Sequence, residues 1–249
     1  MEKHFDGPLQ GPLLAQTTVS TTLAMKKEAS QMEIPPEFQQ YSWVFSDEEV
    51  QQLPKYQPWD HKIDLLPEKA MRKTSIYCLM PPEKVTLEKY ITNGLKQGSL
   101  CQSKAPDACS FFFIDKKDGK LYLVQDYCPL NDITRKNVAP IPLIPELVDK
   151  LLGMRFFTKL DVRWGYNNIC IQEGDEWKAT FKTPLGLFEP TVMTFGLYNV
   201  PATFQTFMDT KFTDLIATGH VVIYLDDILI FATTLDKLVF YMHKVLKHL

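Results

Sequence analysis

The stretch 221–231 is β-branched, aliphatic or aromatic throughout, except for Asp226 and Asp227 at its centre. It is too short to span a bilayer, which takes about 20 apolar residues. It also carries two aspartates in its middle. Two apolar arms around that polar pair predict a β-hairpin with Asp226 and Asp227 at its tip. Like charges so close repel, and a partly buried carboxylate resists ionising. A divalent cation reverses that penalty, because hard oxygen ligands suit Mg²⁺. On its own the pair is also compatible with an ordinary polar turn.

A second carboxylate gives the first one meaning. Residues 156–162 predict a short buried strand with Asp161 near its end, 65 positions before Asp226. That much chain suffices to bring strand and hairpin side by side, so that three carboxylates converge on one sheet edge. Such clusters hold two metals about 3.5–4 Å apart in phosphoryl-transfer enzymes. A solvated strand-terminal aspartate is the plain alternative for Asp161 alone.

Other elements follow from periodicity and punctuation. Residues 1–33 read as a polar linker or disordered arm, and 34–82 as an extended strap with seven prolines and a short helix over 46–53. Helical spacing is predicted over 83–95, stopped by Gly98, and again over 144–152, closed by Gly153. Residues 110–124 predict a hairpin turning at Asp118-Gly119. Residues 192–197 read as a further strand. Pro201 opens a helix, with Asn199 as candidate cap and Phe204, Phe207, Met208, Phe212, Leu215 and Ile216 on its apolar face. Residues 235–249 predict a last amphipathic helix. Interleaved strands and helices indicate an α+β fold.

The apolar share is 45%, enough for a sizeable core in 249 residues. A net charge of −3, from 27 basic and 30 acidic residues, argues against a protein that coats nucleic acid by neutralising phosphate. It leaves room for a local basic channel. Cys78, Cys101, Cys109, Cys128 and Cys170 are scattered, which fits neither a zinc site nor a disulfide framework. With no signal-peptide core at the N-terminus, the expectation is an intracellular protein, in cytoplasm or nucleus, without a membrane partner.

The ordered segments resemble the reverse transcriptase of gypsy-type long-terminal-repeat retrotransposons. They are Asp60-His61-Lys62-Ile63-Asp64, Lys116-Lys117-Asp118-Gly119 and Phe156-Phe157-Thr158-Lys159-Leu160-Asp161. Gly165-Tyr166, residues 173–178, Phe195-Gly196-Leu197 and Pro201-Ala202-Thr203-Phe204-Gln205 come next, and Tyr224-Leu225-Asp226-Asp227 with its apolar continuation ends the run. The resemblance covers about residues 34–249. It implies the fingers and palm of a right-hand polymerase over 83–249, with a catalytic core at about 110–249 and the thumb and RNase H absent.

By that resemblance Asp161, Asp226 and Asp227 are the catalytic aspartates. Together with the Val162 carbonyl they hold two Mg²⁺ (or Mn²⁺) ions. Lys116, Tyr166, Phe195 and Gly196 bind the incoming deoxynucleoside triphosphate, and Gln205 lies beside the template. The implied partners are an RNA or DNA template with its primer, and the remainder of a Pol polyprotein. Some positions depart from the family pattern. Tyr122 and Cys128 stand where arginines are usual, Asp115 where a basic residue is usual, and Trp164 and Thr194 where a small residue and a proline are usual. These motivate an alternative, a catalytically silent remnant that folds and at most binds nucleic acid or a partner weakly.

Overall fold

Local sequence signals set the order of elements in the computed structural model, which describes residues 34–46, 53–115, 119, 121–137 and 142–249. Helix α1 (Pro81–Gln97) starts two residues earlier than predicted. Its prolines sit in the first turn, where no backbone N–H is needed, and the Met80 N–H donates to the Glu83 carboxylate at 2.6 Å. Gly98 closes it with φ of 79°. Strands β1 (Leu100–Gln102), β2 (Ser110–Asp115) and β3 (Leu121–Asp126) follow, then short helices α2 (Cys128–Asn131) and α3 (Ile144–Leu151).

β4 (Phe156–Asp161) precedes β5 (Phe181–Thr183) and β6 (Gly186–Pro190), and then come helices α4 (Val200–Lys211) and α5 (Thr213–Ala217). The chain continues through β7 (Val221–Tyr224), β8 (Asp227–Ala232) and helix α6 (Leu235–His248). Among the described residues, no helix is long and apolar enough to cross a membrane.

Three antiparallel sheets result: β1-β6-β5, the hairpin β2-β3, and β4-β8-β7. The first two share a small core of Leu87, Ile91, Leu100, Phe111, Leu123, Phe181 and Phe188. The third backs onto the main core, where Ile223, Ile228 and Ile230 join Phe204 and Met208 of α4 and Val245 and Leu246 of α6.

The 60–66 segment is stitched to that main body. The His61 N–H donates to Cys170 O (2.9 Å), the Gln172 N–H to His61 O (2.8 Å), and the Ile63 N–H to the Asp175 carboxylate (2.8 Å). Burial pushes the His61 imidazole down to about 4, so it sits neutral against Thr203 Oγ1 at 3.0 Å.

Several expectations are corrected. β4 is not buried: it is paired on one side only, and its residues alternate between half-buried and exposed. Residues 192–197 form no strand, only a bridge between Val192 and Cys170, because Gly196 turns the chain at φ of 98°. Asn199 holds the cap position of α4, yet its amide accepts from the Asn137 N–H and donates to Arg135 O, both at 2.8 Å.

The single helix expected after Pro201 breaks at Phe212. There Thr213 Oγ1 donates to Asp209 O and Thr210 O, competing with helical backbone bonds. A 3-10 segment over Pro36–Phe45 was not anticipated, and most of the predicted 46–53 helix lies outside the described residues.

Candidate active site at the carboxylate turn

The site is built by register. Asp161 ends β4 directly opposite Asp227, the first residue of β8, and Asp227 also pairs with Tyr224 of β7. The hairpin loop is therefore only Leu225 and Asp226. Two-residue loops need positive φ at the first position to match strand twist, and Leu225 adopts it at 54°. The Val162 N–H donates to Asp226 O at 2.8 Å, which clamps the turn to the end of β4. The three aspartates predicted from sequence are thus brought to one sheet end.

Asp226 carries the electrostatic burden. Its Oδ1 is buried with no hydrogen-bond partner. Burial, then the charges of Asp161 and Asp227, hold its carboxyl above the ordinary carboxylate range. Asp227 instead pairs with Lys159, Nζ to Oδ1 at 2.9 Å. Lys159 lies two residues before Asp161 and so on the same strand face. Its ammonium is held above its usual value by the bond to Asp227 and by the Asp227 and Asp161 charges, against some desolvation. Among the described residues, no three His, Cys, Asp or Glu side chains are already arranged as a ligand set. The donor chemistry, carboxylate and carbonyl oxygen, is that of a Mg²⁺ or Mn²⁺ site.

The walls of the site come from three loops. A Cβ on Gly165 would lie 2.9 Å from Asp226 Oδ1 and 2.8 Å from Phe204 Cζ, so glycine is what lets both the carboxylate and the ring pack against the backbone there. Trp164 beside it is left-handed at φ of 54° and exposed. Tyr166 is 8% exposed, with its ring against Phe195 (4.8 Å between centroids) and Phe204 (5.1 Å). Burial, then the Asp226 charge, pushes its hydroxyl up. Phe195 is 51% exposed. Gly196 packs against Gln125 O and the Tyr127 ring, and its own carbonyl accepts from Asn131 Nδ2 at 2.7 Å.

Gln205 is only 1% exposed. Its Oε1 accepts from the Leu225 N–H at 2.8 Å and its Nε2 donates to Asp209 Oδ1 at 2.9 Å. Lys116 lies outside the described residues. Sequence reasoning assigned no role to Lys159 or Gly165. The strand period of two places Lys159 beside Asp161, whereas Gly165 stood in the Gly165-Tyr166 segment with nothing local to show what it packs against.

Comparison with known proteins identifies the family. The reverse transcriptase (RNA-dependent DNA polymerase) family profile matches residues 114–249. The Tf2-3 and Tf2-7 transposon polyproteins of Schizosaccharomyces pombe are each 34% identical over 233 residues, 93% of this chain. The chain spans 17% of their length.

The prototype foamy virus protease–reverse transcriptase superposes with a TM-score of 0.74 at 21% identity, over 85% of this chain and 28% of that one. A foamy viral protease–reverse transcriptase solved with an RNA/DNA hybrid gives a TM-score of 0.74 at 19% identity, with the same coverage of 85% and 28%. Both show a shared fold. The chain belongs to the reverse transcriptase (RNA-dependent DNA polymerase) family.

Proposed function

We propose that this chain is the fingers and palm of a retrotransposon RNA-directed DNA polymerase, which extends a primer by two-metal phosphoryl transfer. The observation that carries the reading is the meeting of Asp161, Asp226 and Asp227 at one sheet end, with an orphaned carboxylate oxygen on Asp226. When bound, two Mg²⁺ or Mn²⁺ ions would lower the pKa of the primer hydroxyl and neutralise the leaving pyrophosphate. Asp161, Asp226, Asp227 and the Val162 carbonyl are the groups to hold them, with Asp227 released from Lys159.

Tyr166 and Phe195 form the floor for the deoxynucleotide sugar, Gly196 permits close approach, and Lys116 binds the triphosphate as a point charge. The template–primer is RNA or DNA, and the chain works as part of a polyprotein. The test is primer extension on an RNA template in Mg²⁺ and in Mn²⁺, with Asp227→Asn as control. Incorporation that survives Asp227→Asn sinks the proposal. The silent-remnant reading, favoured by Tyr122 and Cys128 where the family has arginines, predicts salt-sensitive binding without incorporation.

A further inference from the structure

We propose that Gln205 is the positioning residue of the carboxylate turn: its buried amide fixes Leu225 in the left-handed conformation that aims Asp226 and Asp227, and it does not touch the template. This inference rests on the reading of the turn as the metal-binding site.

Leucine avoids positive φ because its Cβ crowds the following carbonyl, so something must hold Leu225 at 54°. Gln205 reaches it from α4. Its Oε1 accepts from the Leu225 N–H at 2.8 Å, while its Nε2 donates to Ile223 O at 3.3 Å. One amide therefore grips the strand before the turn and the first residue of the turn. The amide orientation is set by chemistry. The Leu225 N–H only donates and the Asp209 carboxylate, 2.9 Å from Nε2, accepts, so oxygen must face Leu225 and nitrogen Asp209.

The anchor is stiff. Asp209 lies one helical turn on along α4, and Phe204 and Met208 of the same helix are buried in the main core. At 1% exposure the amide has no surface to offer a nucleic acid. An apolar side chain would fill the same space without the desolvation an amide brings. The amide is explained by the backbone groups of the turn.

Three readouts on folded variants separate this role from others. They are hydrogen exchange at the Leu225 amide, Mn²⁺ affinity from the free-ion electron paramagnetic resonance signal, and affinity for an RNA–DNA template–primer. Gln205→Met keeps the shape and removes the hydrogen bonds to Leu225, Ile223 and Asp209. It is expected to speed Leu225 exchange and weaken Mn²⁺ binding, each about tenfold, the scale of one buried hydrogen bond, and to leave template–primer affinity unchanged. Gln205→Glu, buried beside Asp209 and therefore protonated, keeps an acceptor and a donor and should restore both. If Gln205→Met does not fold, Asp209→Ala removes the anchor of the amide and should raise Leu225 exchange in the same direction.

Unchanged Leu225 exchange in Gln205→Met overturns the proposal, as does a loss confined to template–primer affinity. If Asp227→Asn binds Mn²⁺ as tightly as the unmodified chain, the metal reading of the carboxylates falls. The exchange rates then still decide whether Gln205 holds the turn.

Discussion

On the core face of the β4-β8-β7 sheet every group favours the fold, whereas at the carboxylate end of the opposite face several groups oppose it. Ile223, Ile228 and Ile230 are fully buried against α4 and α6. A few ångströms along the same strands stand three like charges, an unpartnered Asp226 oxygen and a left-handed Leu225, with a left-handed Trp164 nearby. Each non-glycine left-handed residue costs about 1–3 kcal/mol and persists only where its surroundings over-determine it. Here those surroundings are Gln205, the Val162 clamp and the missing Cβ of Gly165. The contrast teaches that one hairpin both stabilises the protein and holds a destabilised functional end. Substitutions on the two sides should therefore separate stability from activity.

The largest effect belongs to the unfavourable side. Asp226→Asn or Asp227→Asn should reduce primer extension by about a thousandfold, since metal stabilisation of a transition state is worth several kcal/mol, while circular dichroism stays unchanged. Loss of fold in both variants would break the contrast. On the core side, Ile230→Ala should lower unfolding free energy by about 2–5 kcal/mol in urea titration. Turnover per folded molecule should hardly change.

Gly165→Ala lies on the border between the two. The new methyl must displace either buried Phe204 or the Asp226 carboxylate, and overpacking costs about 1–3 kcal/mol. Because Phe204 is locked in the core, the carboxylate is the group that yields. Mn²⁺ affinity should then fall along with stability, and a stability loss with intact Mn²⁺ affinity would show that Phe204 moved instead.

A smaller change is expected at Lys159, whose ammonium holds Asp227 while no cation does. Lys159→Met should tighten Mg²⁺ binding by about threefold, in keeping with an exposed ion pair, as read by isothermal titration. Weaker binding would show that Lys159 helps the site rather than competing for it.

The two faces were unequally legible in the sequence. The hairpin and its aspartates could be read because two continuous apolar arms around a polar pair are a local signal. β2 and β3, α1 and α6 were legible for the same reason. α3 was read correctly as an amphipathic helix, yet its Ile144 and Val148 are exposed, since periodicity identifies a face and not what covers it. The β1-β6-β5 sheet escaped notice because two of its strands are only three residues long. The use of Gln205 was hidden for another reason: its partner Leu225 is 20 residues away, and only packing brings them together.

An effect of similar small size concerns Asp226 and pH, and it tests the contrast most directly. Burial and two neighbouring carboxylates raise its folded pKa, so ionisation opposes folding. The stability linked to the protonated form is present below the ordinary carboxylate pKa and is lost as pH rises through the raised folded value. An asparagine side chain cannot ionise. Asp226→Asn should therefore unfold at a higher temperature than the unmodified chain at pH 7, by at most about 1 kcal/mol because the residue is only partly buried and screened. The difference should shrink to nothing in acid, once the carboxyl is protonated in both the folded and the unfolded chain. Adding Mg²⁺ at pH 7 should invert the order. A ligand that binds only the native state stabilises it in proportion to its affinity, and the Asp226→Asn variant would bind the cation less well. A variant no more stable than the parent at pH 7 without metal would mean that the turn's carboxylates are not held at a cost, and the two faces of the sheet would not differ in kind.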